Sequence, residues 1–382
     1  MIAAVKAMTA AESKFGRQLI LFLHNRYRTT GGEERAVADL MALVRDELRE
    51  EAELLERDSA QLGRGRAARA LLRGGVDPDD VGQAVRRTNA RVVHAHNLNP
   101  TFGPRALKAA RDAGAKVVLH LHNYRLVCAV GTCFNSHGED CTKCQGRNTL
   151  PGVRLNCRGA SRAEALTYAI ALARNQRALI EHADVIVTPS EVAADRLRAL
   201  KAGIHHLHVV PHVVHEFAQQ SAAAQGTYAL VASRLAREKG IETAIEACNK
   251  ANVELVVAGD GPHPLPKDRA RFVGRVGDDE LKELRRNAAL AIVPSRSFES
   301  FGLAAAEAMA AGLPVVASDI GALPELVERD GLVPPNDPEA LAEAITRRYG
   351  DEQAGNRAIQ TAVQRLAPAV VAKSLSAAYA AA

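Results

Sequence analysis

The chain has 382 residues, too many for one ordinary hydrophobic core and a natural length for two domains. Its 47% hydrophobic and 24% charged content is that of an ordinary globular protein, and no apolar run approaches the ~20 residues that span a bilayer. A net charge of +5 suits an anionic small molecule or an anionic membrane surface, whereas 4% aromatic residues and no Trp leave little to stack bases on and argue against a nucleic-acid partner.

Residues 1–17 lack the apolar core of a secretion signal and are expected to form a frayed or loosely docked extension, so the protein is read as cytoplasmic. QLILFLH, Gln18–His24, has the unbroken apolar character of a buried parallel strand. It stops at a polar, Gly-containing stretch, and a helical pattern begins at EERAVADLMALVRDEL. RVVHAH (Arg91–His96), KVVLHLH (Lys116–His122) and DVIVTPS (Asp184–Ser190) repeat the signal, each followed by a loop and a helical stretch. A polar break over His215–Gly226 reads as a linker. The alternation restarts with strands expected at Thr227–Ser233, Val253–Gly259, Ala270–Gly274, Leu290–Ser295 and Pro314–Ser318. The fold class is therefore α/β, with two Rossmann-like doubly wound parallel-sheet domains facing a central cleft. The expected boundaries are 1–215, carrying a Cys-rich loop 127–158, then 216–365, then a C-terminal helix 366–382 packing back toward the first domain. In open α/β sheets ligands bind beyond the carboxyl ends of the strands, so the chemistry should lie in the loops just after them.

Three such loops stand out. In SRSFESFGLAAAEAMAAG, Ser295–Gly312, a strand end and a loop lead into a run of strong helix formers closed by Gly. The helix N-terminus near Phe301 and Gly302 offers free N–H groups and partial positive charge, a site for a phosphate or a sugar oxygen. Glu299 precedes it and can reach a ligand held there. Glu307 lies inside the apolar helix and needs a partner, either a ribose diol or an Arg or backbone group. In SRLAREKG, Ser233–Gly240, Arg234 and Lys239 can hold a diphosphate and neutralise the charge that grows as it leaves; a solvated basic loop is the plainer reading of that stretch alone. In TTGGEER, Thr29–Arg35, Gly31 and Gly32 permit close approach of backbone to phosphate, without matching a dinucleotide fingerprint.

These motifs, in this order, resemble the family-four retaining glycosyltransferases of the GT-B fold, over nearly the whole chain. The most specific element is E-x7-E within FESFGLAAAEAMAAGLPVVAS, preceded by Pro-Ser and followed by the Gly321–Leu326 turn. SRLAREKG matches the family's Arg and Lys loop, with Ser233 where Gly is usual. VLHLHNYR matches the strand that ends in the family's active-site His. His122 fits that frame, and His120 is expected to point to the other side of the strand. The resemblance implies a nucleotide-diphosphate sugar as donor, UDP- or GDP-linked, bound mainly by the second domain. It assigns Glu307 to the ribose hydroxyls, Arg234 and Lys239 to the diphosphate, and Glu299 to the sugar, with the backbone of Ser300, Phe301, Gly302 and Leu303 around sugar and phosphate. It places Gly31 and Gly32 on the phosphates from the first domain, His122 toward sugar and acceptor, and the FVGRV segment with Gly274 near the base. Transfer with retention and no catalytic metal or other cofactor is implied, to a glycan or lipid-linked hydroxyl in cell-surface polysaccharide or glycoconjugate synthesis.

Five of the six cysteines fall between Cys128 and Cys157. Cys141 and Cys144 form a metal knuckle, Cys157 is a third candidate, and Cys128, Cys133 or His137 the fourth. A subset of the resembled family has a cysteine at the place of Cys128, which favours a structural zinc on Cys128, Cys141, Cys144 and Cys157; five free thiols are the alternative. His94–Pro100 is expected near the acceptor, and the five histidines of Ile204–His215 are expected in an exposed turn. The Arg-rich stretch Gln61–Gly75 can touch anionic headgroups at the inner face of a membrane. Two rival readings share these features: a GT-B sugar-nucleotide epimerase, and an inactive zinc-containing binding module.

Overall fold

In the computed structural model, residues 18–26, 32–159, 161–266 and 268–382 are described. The extension expected at 1–17 and the candidate Gly31 lie outside them. Strands β1 (Leu19–Arg26), β2 (Glu51–Asp58), β3 (Val92–Ala95), β4 (Lys116–His120), β5 (Val185–Thr188) and β6 (Leu207–Val209) form one six-stranded sheet in the order β2-β1-β3-β4-β5-β6. A second sheet, ordered β12-β11-β10-β7-β8-β9, is built from β7 (Tyr228–Ala232), β8 (Leu255–Ala258), β9 (Arg271–Gly274), β10 (Ala288–Val293), β11 (Val315–Ser318) and β12 (Leu332–Val333). Every strand pair is parallel. β3, β4, β5 and β8 are buried from end to end apart from the first residue of β4, as unbroken Val, Leu and Ile runs require.

Three strands have no clear sequence signal. β2 is an edge strand written EAELLERD, whose charges protect an open edge while masking the apolar pattern. β6 and β12 have three and two residues. Each sheet has a core on both faces. Leu21, Leu23, Val93 and Val117 pack under one face of the first, and Ile20, Phe22, Val92 and Val118 under the other. The last helix, Pro368–Ala381, inserts Val371, Leu375 and Tyr379 into that second cluster, so the end of the chain lies on the first sheet. The helix before it, Glu352–Leu366, packs Ala358, Ala362 and Leu366 with Ala305 and Met309 of helix Leu303–Ala310. Among the described residues, no helix is long and apolar enough to cross a membrane.

The strand orders locate the site. The first sheet reverses between β1 and β3 and the second between β7 and β10, and crevices at such reversals are where α/β sheets take ligands. The loops beyond β1, β7 and β10 carry Gly32, Arg234, Lys239 and Glu299, while His122 and the cysteines follow the neighbouring β4 and Gly274 ends β9.

Candidate active site

At the reversal of the second sheet, the loops after β7 and β10 meet. Lys239 Nζ is 2.6 Å from Glu299 Oε1, and Ser295 Oγ donates to the same oxygen at 2.5 Å. Burial opposes ionisation of Glu299, but the Lys239 ammonium and the hydrogen bonds from Lys239 and Ser295 outweigh it, holding the carboxyl below the usual carboxylate range. Arg234 stands more exposed on the same loop, 3.1 Å from Glu238. Helix Leu303–Ala310 begins directly beyond Glu299, capped by Gly302 at φ 98°. A Cβ there would also stand 2.7 Å from the Leu323 side chain, so only glycine starts the helix at this point. Gly321, at φ 60°, is required by the same packing: a Cβ would meet the Glu299 backbone at 2.5 Å. The turn after β11 thus grips Glu299 from behind, and the Ala322 N–H donates to Glu299 O at 3.0 Å.

Glu307 holds two arginines. Arg285, a buried residue of helix Asp278–Arg286, forms an ion pair with one carboxylate oxygen, and Arg35 of the first half approaches the other at 3.1 Å. Nothing in the sequence singled out Arg285, because a basic pair at the end of a charged helix reads as solvated. Gly32 opens helix Gly32–Asp46 and faces Leu303, where a Cβ would lie 3.6 Å from the leucine side chain. Arg35, Asp39, Asp278, Lys282, Arg285 and Glu307 line a cavity of about 600 Å³ between the halves. Gly274 closes β9 at φ 74° with open space around it and accepts a backbone hydrogen bond from Gly259.

His122 reaches this cleft from the first half. Ser300 Oγ donates to His122 O at 2.7 Å, and Ser190 Oγ donates to Ser300 O at 2.7 Å, tying the halves together. β4 ends at His120, and the expectation that His120 points away from His122 is wrong. Side chains two residues apart share a strand face, and the two rings lie 4.2 Å apart between centroids at 12°. His94 and His96 of the β3 end lie beside them. His212 stacks on His122 at 5.3 Å and meets the edge of Phe301 at 4.9 Å. It is buried, contrary to the exposed turn expected for 204–215, because the segment after β6 folds back over the sheet; His205, His206 and His215 are exposed. Burial pushes the His122 imidazolium down to about 3, and does the same for His94 and His212, so these rings are neutral at ordinary pH.

The Cys-rich loop lies beside His122. Cys128, Cys133, Cys141, Cys144 and Cys157 line one cavity of about 10 Å³, room for a single atom-sized occupant. His137 is not among its walls. The hydrogen bond from Cys133 brings the Cys128 thiol down to about 6 and raises Cys133 itself. The donors suit zinc in kind, but among the described residues the group of three metal-capable side chains with ligand atoms within 4.8 Å of one another is His94, His96 and His120, not the cysteines. The loop tip touches the second half: Arg237, two residues from Lys239, donates to Ser136 O at 2.9 Å and His137 O at 3.2 Å. Elsewhere on the first half, helix Arg64–Arg73 leaves Arg64, Arg66, Arg69 and Arg73 exposed.

Comparison with known proteins agrees with this architecture. Residues 32–213 match the profile of the glycosyl transferase 4-like domain, and residues 214–365 that of glycosyl transferases group 1. An uncharacterized glycosyltransferase of Methanocaldococcus jannaschii is 37% identical over 139 residues, 32% of this chain and 35% of that protein, so the match spans about a third of that relative. Sucrose-phosphate synthase from Thermosynechococcus elongatus superposes with a TM-score of 0.67 at 18% identity, covering 95% of this chain and 98% of that one. Anabaena HepE in complex with UDP-glucose superposes with a TM-score of 0.60 at 19% identity, over 96% of this chain and 100% of the other. Its two halves matched in turn by these profiles, the chain belongs to the group 1 glycosyltransferases of family-four type, which have the GT-B fold.

Proposed function

We propose that this chain is a retaining glycosyltransferase that moves a sugar from a nucleotide-diphosphate sugar to a hydroxyl of a glycan or lipid-linked acceptor. The observation that carries the reading is the half-buried Lys239–Glu299 pair with buried Ser295 at the mouth of helix Leu303–Ala310, and Ser300 bonded across the cleft to the residue His122. Lys239 and Arg234, with the helix N-terminus and the backbone of Ser300–Leu303, would hold the diphosphate and stabilise its departure. Glu299 would orient the sugar and Glu307 the ribose, with Arg285 and Arg35 aligning the latter carboxylate. Gly274 would border the base, and Gly32 would approach the phosphates from the first half. The acceptor hydroxyl attacks the face that the diphosphate leaves and passes its proton to a phosphate oxygen. A strong protein base is then unnecessary, which suits a His122 held neutral by burial. A UDP-sugar donor is supported by the UDP-glucose complex of HepE, whose fold this chain shares.

The reading extends to polysaccharide or glycoconjugate synthesis, with the exposed arginines of helix Arg64–Arg73 meeting an anionic membrane surface where a lipid-linked acceptor sits. A zinc ion on Cys128, Cys141, Cys144 and Cys157 would staple the 127–158 loop, with Cys133 donating to Cys128 rather than ligating. The domains divide at 215 and 365 in this reading. The test is a thermal-shift screen against UDP, GDP, ADP, CMP and their sugars. A rise in melting temperature with one diphosphate, lost in Glu307→Ala, supports the donor site. No shift with any of them overturns it.

A further inference from the structure

The carboxyl edge of the first sheet buries six histidines, His24, His94, His96, His120, His122 and His212, of which the transfer reaction calls on one. We propose that His94, His96 and His120 form a binding site for one divalent transition-metal ion of the zinc class. One ring nitrogen of each lies within 4.8 Å of those of the other two. His94 Nε2 and His120 Nδ1 are 3.2 Å apart. That is near the ~3.3 Å edge of a tetrahedron whose metal–nitrogen bonds are about 2.0–2.1 Å, so the pair can close on an ion with little movement.

The remaining nitrogens of His94 and His96 are arranged as ligating imidazoles require. A metal-bound histidine donates its second N–H to a fixed partner, which sets tautomer and ring angle. His94 Nδ1 is 2.8 Å from the Tyr379 hydroxyl, and His96 Nδ1 is 2.8 Å from His122 Nε2. Each therefore turns its Nε2 toward the ion. His96 Nε2 is buried with no hydrogen-bond partner among the described residues, as a nitrogen reserved for an ion would be. Ligation needs both facing nitrogens free of hydrogen, so the proton of the His94 Nε2–His120 Nδ1 hydrogen bond moves to His120 Nε2 as the ion enters. Three neutral nitrogens suit Zn2+, Co2+, Ni2+ or Cu2+ and are a poor set for Mg2+ or Ca2+, which take oxygen ligands. A cavity of about 50 Å³, lined by His96, His120, His122, Asn97 and Asn123, provides the way in and room for a fourth ligand. The ion would also act on the cleft. With its Nε2 on the metal, His96 becomes a stronger donor to His122 Nε2 and fixes the His122 proton on Nδ1.

The test uses the full chain, stripped with chelator and reloaded with Zn2+ or Co2+. X-ray absorption of the zinc form is expected to show nitrogen near 2.0 Å with the outer-shell scattering of imidazole, beside any sulfur near 2.3 Å from the cysteine loop. The Co2+ form is expected to keep one bound equivalent in Cys141→Ser/Cys144→Ser and to lose it in His120→Gln. Because losing a buried ring can unfold the sheet, Tyr379→Phe, which keeps ring volume, is the second variant. It should weaken Co2+ binding by about 10–100-fold with the far-UV dichroism unchanged. Absence of imidazole scattering from the reloaded wild-type chain overturns the proposal, as does metal held through sulfur alone or Co2+ affinity unchanged in Tyr379→Phe.

Discussion

Lys239 and Glu299 are each other's partner and, in the proposed reaction, the leaving group's. Lys239→Ala removes a cation from the diphosphate and leaves the half-buried Glu299 carboxylate without its ammonium partner. It is expected to lower kcat/KM for the donor by about 10²–10³-fold, checked by steady-state donor turnover. A variant within threefold of wild type would remove Lys239 from the mechanism. Arg285 and Glu307 form a more deeply buried pair, flanked by Arg35. Glu307→Gln is expected to cost about 3 kcal/mol of stability, read by chemical denaturation, because Arg285 keeps its charge and loses its counter-ion. A cost below about 1 kcal/mol would mean that Arg285 finds another partner. The histidines set the pH response. His94, His122 and His212 titrate at about 3 when folded, against about 6.5 in an unfolded chain. Above pH 6.5 they are neutral in both states and contribute nothing to pH dependence. Below it the unfolded chain takes up protons that the folded one refuses, at up to about 1.4 kcal/mol per histidine per pH unit. The melting temperature should be level from pH 8 to 7 and fall steeply from 6.5 toward 5; a level profile down to pH 5 would contradict neutral burial.

At the scale of elements, the turn into helix Leu303–Ala310 concentrates the constraint. Gly302 sits at φ 98° against Leu323, and Gly302→Ala is expected to cost about 1–3 kcal/mol while displacing the helix N-terminus from the phosphates. Gly63→Ala is the control. That glycine precedes helix Arg64–Arg73 with ordinary φ and open space, so stability should move by no more than about 0.5 kcal/mol. Equal effects at both positions would show that the Gly302 geometry is not what limits the site. The Cys-rich loop is a second constrained element, 127–158, with its tip read by Arg237 beside the cationic loop. If the thiols hold zinc, chelator lowers both the melting temperature and donor turnover; unchanged values would leave five thiols around a small cavity.

For the whole molecule, the chain's end decides how the halves are joined. Helix Pro368–Ala381 lies on the first sheet after the chain has completed the second, and Leu375 is fully buried there. Leu375→Ala should cost about 2–5 kcal/mol and destabilise the N-terminal half although it lies near the C-terminus. Hydrogen exchange at β1 and β3 reads this directly, and protection unchanged there would place the helix outside that core. Tyr379 on the same helix reaches His94, so the end of the chain also supports the histidine cluster.

The alternation of apolar strands with amphipathic helices was enough to read two parallel α/β halves, because fully buried strands leave unbroken Val, Leu and Ile runs. Local motif spacing likewise put Lys239, Glu299 and Gly302 in loops after strands, where short-range geometry governs. Other features arise between segments far apart in the chain and leave no local mark. Arg285 became the partner of Glu307 only when a charged helix packed beside an apolar one. β2 hid its strand character behind edge charges. His94, His96, His120, His122 and His212 became one stacked cluster only when β3, β4 and the segment after β6 came side by side, since sheet order, not sequence distance, decides which side chains meet.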